Sequence, residues 1–507
     1  MFKRFSCKDY FIKGKFSKFA LPLSEISSMG ATLIGFVVYL FAMLGIGIYA
    51  YRRNESTADY YLGGRKMNSW VVALSERSSG ESAWLLLGLP GAALALGVVE
   101  VWTALGCLIG IFFYWYAVAE AIRLQSGKSN AITLPDVFAN HFSRGSLIIR
   151  FTAMIIIIFF FTFYLAAQFN GAGKVLNVTF GIDPFTGMVA GAVVIILYTM
   201  LGGFSAVVWT DFVQALLMFG ALVLLPVAGL IEVSSSGHSL HTALQSAGGS
   251  YLDVVGGKTG WAAVATIVGG LSWAFGYMGQ PHLLTKFMSI KDPGKIKKSR
   301  RIAFMWAVPA FAGAFVIGLV GLALFGQGYF DDVEKVMPHL ANYLLPQWVA
   351  GILVSAAIAA MMSTADGQLL VISSTVSEDF FRHILKINLT PKSMVNLSRL
   401  VTLFVGIAAF LVAVSSGKLI FAMVSYAWAG LGAAFGPALL LMLRWKKITW
   451  QGVFAGMVTG TLVTIIWTEI SILDQNLSAR FASFVLAFAA VYFVSLITFR
   501  KEEPLKV

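Results

Sequence analysis

The sequence predicts an all-α membrane protein of about 13 transmembrane helices, with a five-plus-five inverted-repeat core and flanking helices. Three observations carry that expectation. First, of 507 residues 58% are hydrophobic and only 12% are charged, with a mean hydropathy of +0.80. That is too little charge to cover a soluble protein of this length. Second, the apolar runs are continuous, without the alternation of a membrane β-barrel. Third, two of the runs are interrupted by Gly, Ser and Pro at corresponding places.

Apolar runs between charged or turn-rich loops put the spans near 31–51, 69–97, 101–123, 146–175, 183–203, 206–231, 261–285, 302–326, 346–376, 396–415, 418–443, 449–470 and 480–499. Each reaches the roughly 20 residues that cross hydrocarbon. If the first helix runs from outside to inside, the cytoplasmic segments hold 25 Lys and Arg. The external loops after residue 30 then hold 5: Lys174, Lys258, Lys335, Lys418 and Arg480. Positive loops stay in the cytoplasm. The C-terminal tail at 500–507 is therefore expected inside, in a plasma (bacterial inner) membrane. The net charge of +13 is a topology signal and no nucleic-acid footprint. The basic tail at 1–30 opposes the rule, because this topology puts it outside. It is too weakly apolar for a signal peptide, so either translation starts at Met29 or the tail is translocated. Cys7 and Cys107 suggest no disulfide framework. The 50 glycines suit close helix crossings.

The interrupted runs are the most informative. ALSERSSGESAWLLLGLPG at 73–91 carries Glu76, Arg77 and Glu81 among small residues, with SSGES at 78–82 and GLPG at 88–91. The run at 261–285 carries GG at 269–270 and GYMGQP at 276–281. Backbone groups freed at such a break persist in lipid only where protein, water or a ligand meets them. Each interrupted run opens a set of five spans, 69–231 and then 261–443, and an odd number makes the second set enter from the opposite side. Span 31–51 precedes this core and 449–499 follows it. Paired broken helices point to a secondary transporter with its site near the midplane. Tight helix crossing is the other use of the same glycines.

Seven stretches then resemble the sodium/solute symporter family, over residues 31 to 499. They are DYYLGGR at 59–65, SAWLLLGLPGA at 82–92, TLPDVF at 133–138, GGFSAVVWTDFVQA at 202–215, FGYMGQPHLL at 275–284, AGILVSAAIAAMMST at 350–364 and VSYAWAGLGAAFGP at 424–437. The resemblance is greatest to the proline-carrying branch. It implies sodium-coupled symport of proline or a similar small amino acid, no covalent catalysis and no cofactor beyond Na+ as coupling ion. It further implies a sodium site from the carbonyls of Ser78, Glu81 and Ala360 and the hydroxyls of Ser363 and Thr364. Read alone, a Ser-Thr pair on a helix is as readily bonded to its own turn. For the solute the resemblance implies Ser82, Trp84, Tyr164, Trp273, Tyr277 and Pro281. Free amides at a helix break suit a carboxylate, and aromatic faces suit an ammonium; Trp273 and Tyr277, four apart, also fit ordinary packing. Asp211, in WTDFVQ, matches an acidic family position near the ion pathway, or else caps a helix turn.

The sequence departs from the family around the ion. Where the proline-carrying branch has an aspartate important for sodium, this chain has Gly80; Glu81, Arg77 and Asp366 are added charges. Glu81 could replace the aspartate, Glu81 or Asp366 could carry a proton and make H+ the coupling ion, or Arg77 and Glu81 could neutralise each other at i,i+4. An uncoupled facilitator is the further alternative. GAGK at 171–174 lacks the spacing of a phosphate loop. The six histidines and two cysteines show no metal-ligand spacing, so no metal other than sodium is expected. The basic run at 291–301 can touch anionic membrane lipid. No obligate protein partner is implied.

Overall fold

A computed structural model describes residues 30, 33–43, 45–46, 57–237, 239–387 and 390–499. The basic tail before residue 30, the end of the first predicted span at 47–51 and the tail at 500–507 lie outside the described residues. Among the described residues the chain is helical and no strand forms; ten helical runs are long and apolar enough to cross a membrane, beside two shorter apolar helices. In chain order the main helices are α1 (Leu33–Met43), α2 (Ser69–Ala83), α3 (Leu89–Leu96), α4 (Val101–Ala117), α5 (Ser146–Phe180), α6 (Pro184–Met200) and α7 (Gly203–Ser235). There follow α8 (Gly260–Leu271), α9 (Trp273–Gly276), α10 (Pro281–Met288), α11 (Ile296–Phe325), α12 (Gln347–Ser374), α13 (Pro391–Ser415), α14 (Ile420–Arg444), α15 (Trp450–Glu469) and α16 (Ala479–Thr498).

Local chemistry explains the boundaries. α2 starts after Asn68, whose side chain accepts from the Trp70 and Val71 amides at 3.0 Å and so satisfies two end-of-helix donors. α6 and α7 form one helical run kinked at Gly203, whose φ of 64° is open to a residue without a side chain. α11 starts at Ile296, earlier than the predicted 302, so Lys297, Lys298, Arg300 and Arg301 ride on its first turns. α12 starts at Gln347 as its pattern suggests, and its last turns widen beyond Ser374.

The interruptions differ from the expectation in detail. The SSGES backbone stays helical through Glu81, and the break comes at Ser82, with φ 49° and ψ −167°. Wide turns over Trp84–Gly88 follow, and Pro90 opens α3 without losing an intrahelical bond. In the second run the Gly269–Gly270 pair passes intact through α8; Gly270 instead lets α8 lie against Trp102 and Thr103 of α4. A helical glycine costs only about 1 kcal/mol, which such packing offsets. The break falls later, at Tyr277–Gln280, and Pro281 starts α10. α12 lies at the centre, packed on α2, α5 and the α6–α7 pair. Its apolar window is 83% buried, against 28% for α13 and 33% for both α15 and α16, so the latter three form the rim.

Candidate ion and solute site

At the inner turn of α2 the Ser78 and Ser79 carbonyls face α12. Ser363 Oγ lies 3.1 Å from Ser78 O and 3.0 Å from Ala360 O, its one proton shared between them; Thr364 Oγ1 donates to Ser79 O at 2.9 Å. Ser79 Oγ lies 3.0 Å from Ser363 O. Ser78, Ala360, Ser363 and Thr364 are thus one buried cluster of neutral oxygens. Glu81 stands apart: its carbonyl takes the Trp84 amide, and its carboxylate takes Arg77 at 2.6 Å and the Tyr277 hydroxyl at 3.3 Å. Arg77 is held as well by both oxygens of Glu76, which also accepts from Trp115 Nε1 at 3.1 Å. Of the three uses open to the added charges, the geometry favours mutual neutralisation. A side chain at Gly80 would point at Leu283 and the Arg77 guanidinium.

Asp211, on α7, caps no turn. Its Oδ2 accepts from Ser75 Oγ at 2.7 Å and Ser79 Oγ at 3.0 Å on α2, and from Lys286 Nζ at 2.8 Å on α10. Lys286, counted in the sequence with the basic loop at 285–301, is instead 1% exposed and ion-paired. Asp366, on α12, accepts from Thr199 Oγ1 at 2.6 Å, and its other oxygen has no partner among the described residues.

Past the break, Ser82 and Tyr164 approach at 3.4 Å. Trp84 and Trp273 stack at 4.6 Å, with Phe421 5.2 Å from Trp273; Tyr277 packs edge-on against Trp428 at 4.7 Å. Pro281, the first residue of α10, is buried below them. The sequence reading missed four residues here. Gln168 Oε1 takes the Ala83 amide freed by the break at 3.1 Å. Trp428 Nε1 donates to Trp273 O at 3.1 Å, and Phe421 closes the stack. His282 Nε2 lies 3.2 Å from Ser79 O. His282 and Trp428 lay inside two of the quoted stretches, and only their types, ordinary for packing, hid them. Gln168 and Phe421 carried no such signal.

A cavity of about 760 Å³ opens on this aromatic group from the face opposite the Lys- and Arg-rich loops; Glu100, Thr103, Phe421, Ser425 and Arg480 line it. Arg480 lies 4.7 Å from the Trp273 ring and donates to Gly269 O at 2.9 Å. On the other face backbone and side-chain bonds tie the helix ends together. The Met67 amide donates to Ser289 O at 3.2 Å and the Lys291 amide to Met67 O at 2.9 Å, joining the segment before α2 to the one after α10, and Arg65 ties Met288 O to Ser126 and Ala131.

Two interrupted helices that share an aromatic pocket, with an oxygen cluster between the first of them and α12, define a secondary transporter of the five-plus-five inverted-repeat fold. The chain belongs to the sodium:solute symporter family, whose sequence profile matches residues 60–460, and is an integral membrane protein. It is similar to the sodium/proline symporter of Escherichia coli (strain K12), 39% identical over 444 residues, 86% of this chain and 88% of that one. It is 37% identical over 459 residues to the high-affinity proline transporter of Bacillus subtilis (strain 168), covering 90% of this chain and 96% of that one. In fold it is similar to a substrate-bound, outward-open Na+-coupled sialic acid symporter, with a TM-score of 0.76 at 18% identity, covering 94% of this chain and 99% of that one.

Proposed function

We propose that this chain couples inward sodium flow to uptake of proline or a similar small amino acid by alternating access. One observation carries the reading: two hydroxyls on α12 reach two carbonyls on α2 a single turn before the backbone breaks. Hydroxyls and carbonyls in the turn before a helix break suit a small hard cation, offering oxygen without full charge. Ser78, Ala360, Ser363 and Thr364 are the proposed sodium residues; Glu81, whose carbonyl takes the Trp84 amide, is left outside that set. Asp211 and Asp366 line the proposed approach. Ser82, Trp84, Tyr164, Trp273, Tyr277 and Pro281 are the proposed solute residues. The indole N–H groups of Trp84 and Trp273 are buried without a partner among the described residues, which supports a ligand acceptor such as a carboxylate there. The relatives named for proline support that solute. The distribution of Lys and Arg supports a cytoplasmic C-terminus, an external start for the first helix and a plasma-membrane location.

Sodium would stabilise the outward, binding-competent arrangement and so raise apparent solute affinity. One charge crossing 100 mV releases about 2.3 kcal/mol, enough for roughly fifty-fold accumulation at about 1.4 kcal/mol per tenfold. The test is uptake of labelled proline into proteoliposomes under separately imposed gradients. Accumulation is expected with a sodium gradient and none with a proton gradient alone. Accumulation driven by protons without sodium overturns the sodium assignment in favour of H+, and equilibration without accumulation under either gradient makes the chain a facilitator.

A further inference from the structure

We propose that Arg480, on the flanking helix α16, is a specificity-determining residue of the solute pocket and sets its preference for a solute that carries a carboxylate. The proposal deepens the proline reading above and rests on it. α16 follows both five-helix repeats, yet Arg480, in its first turn, reaches two elements at the mouth of the pocket. Its Nε donates to Ser272 Oγ at 3.2 Å, one terminal nitrogen to Gly269 O at 2.9 Å and the other to Ser425 Oγ. Gly269 and Ser272 lie at the end of α8, and Ser425 is on α14, one helical turn after Phe421. The same guanidinium lies 4.7 Å over the ring of Trp273, which is fully buried and also touched by Trp84 and Phe421. Of these three neighbours only Arg480 is charged. A planar fork that bonds in three directions while lying on an aromatic face is the geometry of arginine and not of lysine.

The charge is not balanced locally. All three acceptors are neutral, and among the described residues no carboxylate accepts from this guanidinium. Glu100 lines the same cavity, but its Oε2 is buried without a hydrogen-bond partner there. Beside Arg480 stand the indole N–H groups of Trp273 and Trp84, likewise buried and without partners among the described residues. A solute carboxylate accepting from these indoles would sit in the field of Arg480, in a setting where a unit charge acts more strongly than in water. Arg480 thus serves one event in two ways: it fixes Trp273, and its field favours a negative group there over a neutral one. The same field opposes a solute whose carboxylate is masked and whose ammonium leaves it positive, the repulsive element that selectivity uses. The proposed ion site lies before the Ser82 break and is built from neutral oxygens of α2 and α12, so this preference is separate from sodium.

The test is competition against labelled proline on the purified full-length protein at saturating sodium, by unlabelled proline and by prolinamide. Prolinamide keeps the ring and the ammonium and replaces the carboxylate with a neutral amide. Wild type is expected to bind proline far more tightly than prolinamide. Arg480→Gln, which keeps hydrogen-bonding groups without the charge, should weaken proline about tenfold more than prolinamide, the order of one partly screened charge. Arg480→Lys keeps the charge but not the fork; both affinities should fall together as Trp273 loosens, and their ratio should stay near that of wild type. Sodium binding measured without solute should not change in either variant. An Arg480→Gln protein that keeps the wild-type ratio, whether both affinities fall or neither does, overturns the proposal. So does an Arg480→Lys protein that loses the ratio, or a wild type that binds the two compounds alike. If Arg480→Gln does not fold, Arg480→Met decides in its place by the same ratio. A wild type that binds no proline overturns the solute reading itself, a result distinct from an unchanged ratio in a variant.

Discussion

The two interrupted helices solve one problem with different materials. At the α2 break a residue with a side chain, Ser82, sits at φ 49°, a conformation that is costly outside glycine. The amide it frees is taken by Gln168 from α5, and the preceding turn carries the buried Glu76–Arg77–Glu81 set. At the α9–α10 break no residue has positive φ; Gly276 and Gly279 let α14 approach and Trp428 fills the gap. The first break is held chiefly by polar and charged bonds, the second chiefly by shape, with Trp428 also donating to Trp273 O. An ion is read by oxygens and charge and a solute ring by packed aromatic walls, so the contrast fits a division of labour between the two helices.

The largest expected effect breaks the polar side of this comparison. Arg77→Met leaves Glu76 and Glu81 buried without their cation, a change that costs about 3–5 kcal/mol. Thermal unfolding in detergent should show the loss, and little folded protein should survive for transport. Replacing the whole set with apolar residues (Arg77→Met, Glu76→Leu and Glu81→Met together) should restore most of the stability, because the desolvation penalty disappears with the charges. If Arg77→Met unfolds like wild type, the three residues are not a self-neutralising unit.

The shape side should yield to a smaller insult. A methyl group at Gly276 would run into the Trp428 indole. Overpacking of this kind costs about 1–3 kcal/mol, so Gly276→Ala should lower the melting temperature and depress proline uptake. It should also shift Trp428 fluorescence, since that ring must move. Sodium binding should change far less. An equal loss of sodium and solute binding would mean that the two breaks act as one site.

The contrast also explains what the sequence could tell. Hydropathy and charge located the helices, because lipid and the cytoplasm act on every residue of a run or loop. The two breaks were legible as regions from Gly, Ser and Pro. Their positions were not: Gly269–Gly270 stays helical because α4 packs into it, while Ser82 breaks because Gln168, 86 positions on, waits to take its neighbour's amide. Lys286 read as loop charge because nothing nearby in sequence says that Asp211 lies opposite. Local chemistry was visible, and partners from distant helices were not. The Ser363–Thr364 pair was legible only through a family resemblance, since its bonds to α2 look in sequence like bonds to its own turn.

The smallest expected effect sharpens the comparison at its finest point. Thr364 Oγ1 donates to Ser79 O at 2.9 Å, and both atoms belong to the proposed sodium cluster. Losing one neutral hydrogen-bonding group is worth about 0.5–1.5 kcal/mol, which corresponds to roughly a two- to tenfold rise in half-saturating sodium for Thr364→Ala. Thr364→Ser, which keeps the hydroxyl, should stay near wild type. At saturating sodium the half-saturating proline concentration should barely move in either variant, because the aromatic walls are untouched. A Thr364→Ala protein with unchanged sodium dependence removes this hydroxyl from the ion site. One that loses proline affinity while keeping its sodium affinity assigns Thr364 to the solute instead and collapses the division between the two breaks.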